Sequence, residues 1–332
     1  EIRNCDWSSD VCSSDLGPMR TALQLPPALR HEIGLAALLD GCSMEAVDAT
    51  TFDAAYDALD AYFGPKGELE PRETLRAALL EPRWRGDIAV VFEMYRLHGP
   101  DGLVGVYDGR FVIGPDFVLG YGDHGLILPA LRGQGLGRAL DLADKRPLAD
   151  RAARSVGRPA GLPYLVVADV DPLDPADPDS VRRIRVWAKA NWAIVPPSRV
   201  PHALRGQQDP DRPGEILEGV ANFLMIRSED GSRPARLALP DAERLIRLVG
   251  AAPMAPEAHL AAWEATALAA LHGESGDVEA WALPHPGDGW EAHARLLPSA
   301  LRPWVPARWW HRPEPDAEAD RAGLDRLLAS GR

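Results

Sequence analysis

Apolar residues in this chain gather into runs of helical and strand character, separated by proline and glycine. Behind Thr51, the residues Phe52, Ala55, Tyr56, Leu59, Tyr62 and Phe63 recur at three- and four-residue intervals. That spacing predicts a helix capped by Thr51 and stopped at Gly64-Pro65. A second helix opens with Pro71 in its first turn, buries Leu75, Ala78 and Leu79, and ends before Pro82. Three strands follow over about 87–97, 103–113 and 117–128. Gly99-Pro100-Asp101-Gly102 and Gly114-Pro115-Asp116 form the turns between them, and Asp108-Gly109 forms a bend inside the middle strand. A helix is expected over roughly 135–153, with Pro147 kinking or dividing it. Tyr164–Asp169 is a continuous apolar run, as in a strand buried on both faces. An amphipathic helix over 180–191 carries Val181, Ile184, Trp187 and Ala188, and strands near 192–197 and 220–227 complete the pattern. Residues 17–45 are apolar but ambiguous, with Pro26-Pro27 starting a short helix.

Residues 230–332 read as a separate, mainly helical extension. Asp241–Val249 followed by Gly250, and Pro256–Leu271 followed by Gly273, have the pattern of capped amphipathic helices. The tail adds Trp304, Trp309, Trp310 and His311, then a charged helix from about 315. No internal repeat is visible. At the other end, the run from Asp6 to Leu16 is similar to the translation of a common sequencing adapter, so residues 1–16 are set aside from fold reasoning.

Composition narrows the classes. The net charge of -13 includes Asp6, Asp10 and Asp15, and remains clearly acidic without them, which argues against a nucleic-acid or anionic-membrane partner. With 46% hydrophobic residues the chain can bury a substantial core. Setting aside Cys5 and Cys12 leaves Cys42 alone, which excludes a disulfide framework and fits a reducing cytoplasm. No apolar run approaches the roughly 20 residues that span a bilayer. The Ala, Pro, Arg and Asp richness fits a GC-rich bacterial gene.

The chemistry concentrates at Leu128-Pro129-Ala130-Leu131-Arg132-Gly133-Gln134-Gly135-Leu136-Gly137-Arg138. Three glycines at alternate positions leave backbone N–H groups unshielded where a helix begins. The first N–H groups of a helix lack internal partners and carry the positive end of its dipole, so the segment is suited to an anion, and Arg132 and Arg138 add charge at its edges. A dinucleotide fold wants Gly-x-Gly-x-x-Gly directly at a strand end, whereas this loop has Gly133-x-Gly135-x-Gly137 with Pro129 and Arg132 between strand and loop. A P-loop wants Gly-Lys-Ser/Thr, whereas Gly137 is followed by Arg138-Ala139. Arg-x-x-Gly-x-Gly after a strand ending Ile127-Leu128-Pro129 resembles the acyl-CoA pyrophosphate loop of the GNAT acetyltransferases.

That resemblance covers about 46–229, where the order ααβββ–loop–αβαββ is similar to a GNAT domain. It implies an α+β fold with a mixed, mostly antiparallel sheet flanked by helices. It implies acetyl-CoA as acyl donor, with no metal, and Leu126, Ile127, Leu128, Arg132, Gly133, Gln134, Gly135, Leu136, Gly137, Arg138 and Trp187 as its contacts. In that family a carboxylate on the strand before the loop commonly takes the proton of the amine, and a backbone N–H of the same strand polarises the thioester carbonyl. The strand reads Tyr121-Gly122-Asp123-His124-Gly125, with Tyr121 where many members have Glu. Asp123 shares a face with Tyr121 by the period of two and is the first candidate base, unless Gly122-Asp123 forms a turn or bulge that interrupts the strand. His124 is expected on the opposite face and is the second, since an ordinary imidazole titrates near neutrality.

In Val186-Trp187-Ala188-Lys189-Ala190-Asn191-Trp192, Trp187 falls where the family often has a proton-donating Tyr, and an indole cannot release a proton. Asp169, Asp171, Asp174, Asp177 and Asp179 crowd the loop after the fifth strand, either as a solvated acidic loop or as an attractor for a cationic amine. His202 sits in a long segment before the last strand and is a candidate for shaping the acceptor pocket. No Gly-x-Ser-x-Gly or Cys-x-x-Cys occurs, and His31-Glu32 lacks a second histidine. Two functions follow: transfer of an acetyl group to a small-molecule or peptide amine in a ternary complex, or acyl-CoA binding without efficient turnover, as a sensor or docking module.

Overall fold

A computed structural model describes residues 20–66, 69–170, 186–196, 199–200, 203–204, 220–221, 223–252, 257–273 and 275–282. The segment after β1 (Arg20–Ala22) leads into α1 (Ile33–Leu39) and β2 (Ser43–Ala46). The two predicted helices are α2 (Phe52–Phe63) and α3 (Arg72–Leu80). After the short β3 (Arg83–Arg85), the three predicted strands are β4 (Ile88–Gly99), β5 (Gly102–Ile113) and β6 (Val118–Ile127). Pro147 does divide the next helix, into α4 (Leu136–Leu142) and α5 (Arg146–Ser155). The apolar run forms β7 (Tyr164–Val170), and β8 (Ala193–Ile194), β9 (Ala203–Leu204), β10 (Val220–Ala221) and β11 (Phe223–Ser228) follow. Last come β12 (Arg236–Leu237), α6 (Leu239–Ala251), α7 (Glu257–His272), β13 (Val278–Glu279) and β14 (Trp281–Ala282).

Ten strands join one sheet in the order β1-β2-β4-β5-β6-β7-β11-β8-β14, with β3 beside β4. Only the β6–β7 pair within that sheet is parallel among the described residues. This is a mixed, mostly antiparallel sheet flanked by helices. One face carries Tyr95, Phe111 and Val118, covered by Leu35, Leu39, Leu148 and Ala152 of α1 and α5. On the other, Phe92, Met94, Val106 and Leu126 meet Phe52, Leu59 and Leu75 of α2 and α3. Further along that second face, Val90, Val112, Leu119 and Leu165 meet Leu245, Ile246 and Val249 of α6. Val90, Phe92 and Met94 are two apart on one strand, so both groups of helices cover the same side.

Helices α6 and α7 therefore share the core of the sheet. Each fully buried Leu, Ile or Val on α6 contributes about 1.5–3 kcal/mol, and β14 adds a strand to the sheet through β8. Two local expectations are also revised. The Thr51 side chain does not cap α2. It bonds the Asp48 carboxylate, which also accepts the backbone N–H groups of Thr50 and Thr51. Gly250 lies inside α6 and does not end it, because a Cβ there would stand 2.9 Å from the Trp263 ring of α7. The glycine is spent on close helix–helix approach.

Residues 1–16, Asp171, Asp174, Asp177, Asp179, His202, Trp304, Trp309, Trp310, His311 and the helix from about 315 lie outside the described residues, and of the helix expected over 180–191 only 186–189 is described as helical.

Candidate functional site

The centre of interest is the second half of β6. Its ladder with β7 runs from Val118–Tyr164 to Gly122–Ala168 and stops. Both strands continue, but β7 stays with β11 through Val170 while β6 stays with β5 through Ile127. The strands part after Gly122, leaving Asp123–Ile127 laddered on one side among the described residues. Backbone groups on such an edge want partners, and an extended ligand carrying amides can supply them.

The chain leaves this edge directly into the glycine loop. The Leu128 N–H still donates to Val104 at 3.0 Å, and a tight turn covers Pro129–Leu131. Gly133 and Gly135 then adopt φ of 80° and 86°, where side chains are strained. Space does not demand glycine at Gly133, where an added Cβ meets nothing within 4 Å, or at Gly137, where it meets only Ile127 at 3.8 Å. The requirement comes from backbone conformation and from whatever approaches the exposed loop. Helix α4 is only seven residues long, so the loop's own N–H groups outweigh its dipole.

The expected contacts around the loop are arranged in three ways. Gly133, Gln134, Gly135 and Gly137 are exposed, with Leu136 and Arg138 half-buried. Arg132 turns back: its Nε donates to the Ile127 carbonyl at 2.9 Å and its guanidinium lies 5.0 Å over the Tyr62 ring. Arg138 donates to the Lys189 carbonyl at 2.8 Å, tying the start of α4 to the turn at 186–189. Leu126 is buried under α2 and α3, Ile127 and Leu128 are half-buried, and Trp187 packs edge-on against Trp192 at 5.4 Å.

Above the loop, the β5–β6 register shifts: Asp108 pairs with His124, but Gly109 pairs with Gly122. Asp123 is the extra residue of a β-bulge, so the strict alternation expected for Tyr121, Asp123 and His124 fails there. Instead of facing opposite ways, Asp123 and His124 both meet side chains of the same β5 face, Arg110 and Asp108. Asp123 Oδ1 accepts from Arg110 Nη1 at 2.6 Å, and Arg110 Nη2 donates to Glu70, just ahead of α3. The His124 backbone N–H donates to Asp108 Oδ1 at 2.8 Å, and its ring Nδ1 lies 3.0 Å from the same oxygen. That N–H is therefore taken and does not serve a thioester carbonyl. Phe63 of α2 closes over the His124 ring at 4.7 Å.

Charge in this cluster is fixed by burial and neighbours. Burial pushes the Asp123 carboxyl up to about 7, with Arg110 pulling it down and Asp108 and Glu70 pushing it further up. Burial works to lower His124, but the Asp108 carboxylate outweighs it and raises the imidazole to about 10. Arg110, though buried, is held cationic by Asp123 and Glu70. Asp123 Oδ2 is buried and has no hydrogen-bond partner among the described residues. Tyr121 points its hydroxyl to Asp169 of β7, and burial keeps it a neutral phenol. Glu70, Asp108 and Arg110 were not anticipated from sequence as site residues; the bend at Asp108-Gly109 and the turn or bulge at Gly122-Asp123 were the signals that the strand pairing breaks there.

No protein-family model matches the chain, and no curated protein does. Solved structures resemble part of it. A protein assigned to the GNAT family of acetyltransferases from Bacteroides thetaiotaomicron is 18% identical over 56% of this chain and 86% of its own, with a TM-score of 0.36. A Salmonella typhimurium acetyltransferase that modifies the N-terminal serine of ribosomal protein L7/L12 is 12% identical over 57% and 95%, at 0.32. RimL, a ribosomal L7/L12 α-N-protein acetyltransferase in complex with coenzyme A, is 13% identical over 58% and 96%, at 0.31. Likeness at this level assigns no activity.

Proposed function

We propose that this chain is an acyl-CoA-dependent N-acyltransferase of the GNAT type, moving an acetyl group from acetyl-CoA to an amine in a ternary complex. The observation that carries the reading is the parting of β6 from β7 at Gly122, followed without interruption by a loop with two left-handed glycines. A diphosphate fits the exposed N–H groups of Gly133–Arg138. The one-sided edge Asp123–Ile127 fits the amides of an extended acyl carrier.

When bound, acetyl-CoA supplies an activated thioester. An amine of ordinary pKa, about 10.4, costs roughly 4–5 kcal/mol to present as the neutral nucleophile at pH 7. A base has to take that proton. His124 is held as an imidazolium by Asp108 and is poorly suited to it, whereas Asp123 titrates near neutrality and keeps Oδ2 uncommitted. Asp123 is thus the base in this reading. Trp187 offers no proton to the leaving thiolate, so that proton comes from solvent or from the amine itself.

Trp187 and the enclosed Oδ2 favour a second reading, acyl-CoA binding with little turnover. Free-thiol release from acetyl-CoA with a panel of small and peptide amines separates the two: release above the uncatalysed rate supports transfer, and binding without release supports a sensor or docking role.

A further inference from the structure

The geometry points to Arg110 as the positioning residue for Asp123: its guanidinium fork bridges Asp123 and Glu70, engages Asp123 through Oδ1, and leaves Oδ2 as the oxygen that receives a proton. The kinetic part of this inference rests on the acyltransferase reading; the electrostatic part rests on the cluster alone. Asp123 stands on a bulge, so the regular ladder does not dictate where its carboxyl points. Arg110 does, from the paired strand, with its own guanidinium 5.8 Å from the Phe92 ring. A buried guanidinium is stable only when paired, and here its two terminal nitrogens, Nη1 and Nη2, donate to two different carboxylates. The Glu70 backbone is in turn anchored, its carbonyl accepting the Tyr56 hydroxyl at 3.1 Å.

The side chain of Asp123 is only 9% exposed, yet Oδ2 meets no donor among the described residues. An unmet buried acceptor in a folded protein asks for a reason, and a donor that arrives with substrate supplies one. A lysine could hold the charge of Arg110 but not the fork, so charge and orientation are separable by substitution.

The ionisable groups acting on Asp123 are Tyr107, Asp108 and Arg110 of β5, Tyr121 and His124 of β6, Glu70 ahead of α3, and Asp169 of β7 through Tyr121. Arg110 favours the ionised carboxylate, whereas Glu70 and Asp108 oppose it. Removing Arg110 and removing Glu70 must therefore move the titration of Asp123 in opposite directions. A packing defect has no reason to do so.

The experiment is a carbon-13 carboxyl titration of Asp123 in the full chain, assigned with Asp123→Asn, beside pH profiles of kcat and KM for acetyl-CoA. Arg110→Gln is expected to raise the Asp123 pKa by about 1–3 units, and Glu70→Gln to lower it by up to about one. Arg110→Lys is expected to leave the pKa near its original value, lower kcat about tenfold or more, and leave KM for acetyl-CoA unchanged. The acid limb of the kcat profile should track each carbon-13 value. Shifts of the same sign in Arg110→Gln and Glu70→Gln, or none in either, would overturn the inference. Should Arg110→Gln not fold, Glu70→Gln and Arg110→Lys decide it. A wild-type chain that acetylates no amine sinks the acyltransferase reading, while the carboxyl titration still decides the role of Arg110.

Discussion

Two regions meet at the end of β6, and they are built in opposite ways. The glycine loop is exposed, and what defines it is backbone: left-handed glycines and N–H groups that no side chain shields at Gly133, Gly135 and Gly137. The cluster of Glu70, Asp108, Arg110, Asp123 and His124 is largely buried and is defined by side chains that hold one another's charge. A change in the loop should therefore damage ligand binding and spare the fold. In the cluster a change should affect chemistry and stability together, because removing one partner strands another charge in low dielectric.

The largest effect should come from Gly135→Glu. The carboxylate occupies the loop and repels a diphosphate, and the positive φ adds strain of about 1–3 kcal/mol. We expect acetyl-CoA binding to fall below detection by calorimetric titration, with an unchanged circular dichroism spectrum and a modestly lower Tm. A folded variant that binds as well as the wild type would remove the loop from ligand binding, and the acyltransferase reading with it.

Asp123→Asn comes next. The amide oxygen can keep the bond to Arg110 but the group takes no proton, so the rate should drop roughly 10²–10⁴-fold with acetyl-CoA affinity nearly unchanged. A loss below about threefold by free-thiol assay would transfer the proton to a bound water and make Asp123 a structural group.

The same contrast explains what was legible in the sequence. The loop could be found because its chemistry is local: alternate glycines after a strand carry their meaning in one short string. Helices α2 and α3 and strands β4 to β7 followed from spacing and from Gly/Pro punctuation, including the division at Pro147, whereas β1, α1 and β2 lie in a segment that read as ambiguous. The charged cluster could not be found, because Glu70 and Arg110 are 40 residues apart and meet only through the fold. One inserted residue at Asp123 also reversed the face assigned to His124, which no period-two count detects. Gly250 misled for a related reason: a glycine that ends a helix and one that admits a neighbouring Trp263 look identical in sequence. The helices of 239–272 read as an appendage because their apolar faces match a sheet surface far away in the chain.

A third prediction separates the two regions by pH. His124 has a folded pKa of about 10, above its ordinary 6.5, so its stabilisation is complete below about 6.5 and is lost as pH rises through 10. Asp123 has the same sign, its folded value of about 7 lying above 3.8, so its contribution is lost as pH rises through 7. The chain should weaken between pH 7 and 10.5, and His124→Gln should weaken less over that range, by on the order of a few kcal/mol. Urea unfolding at both pH values measures this. Equal losses in the two proteins would mean that His124 is neutral at pH 7, and would restore it as a candidate base.

Arg132→Ala should have the smallest effect, although the sequence places Arg132 at the mouth of the loop. A charge-assisted hydrogen bond to phosphate is worth about 1.5–3 kcal/mol when nothing competes for it. Here the Arg132 guanidinium already lies over Tyr62 and its Nε serves the Ile127 carbonyl. Reaching a diphosphate means giving up those contacts, and the exchange leaves a net gain of about 1 kcal/mol, a factor of about five in affinity. The substitution also exposes the Ile127 carbonyl on the one-sided edge of β6, where a ligand amide can use it. Titration of acetyl-CoA at two ionic strengths tests this: the affinity loss should be small and should shrink as salt rises. A loss above about a hundredfold would show that Arg132, and not the glycine backbone, is the principal anion contact.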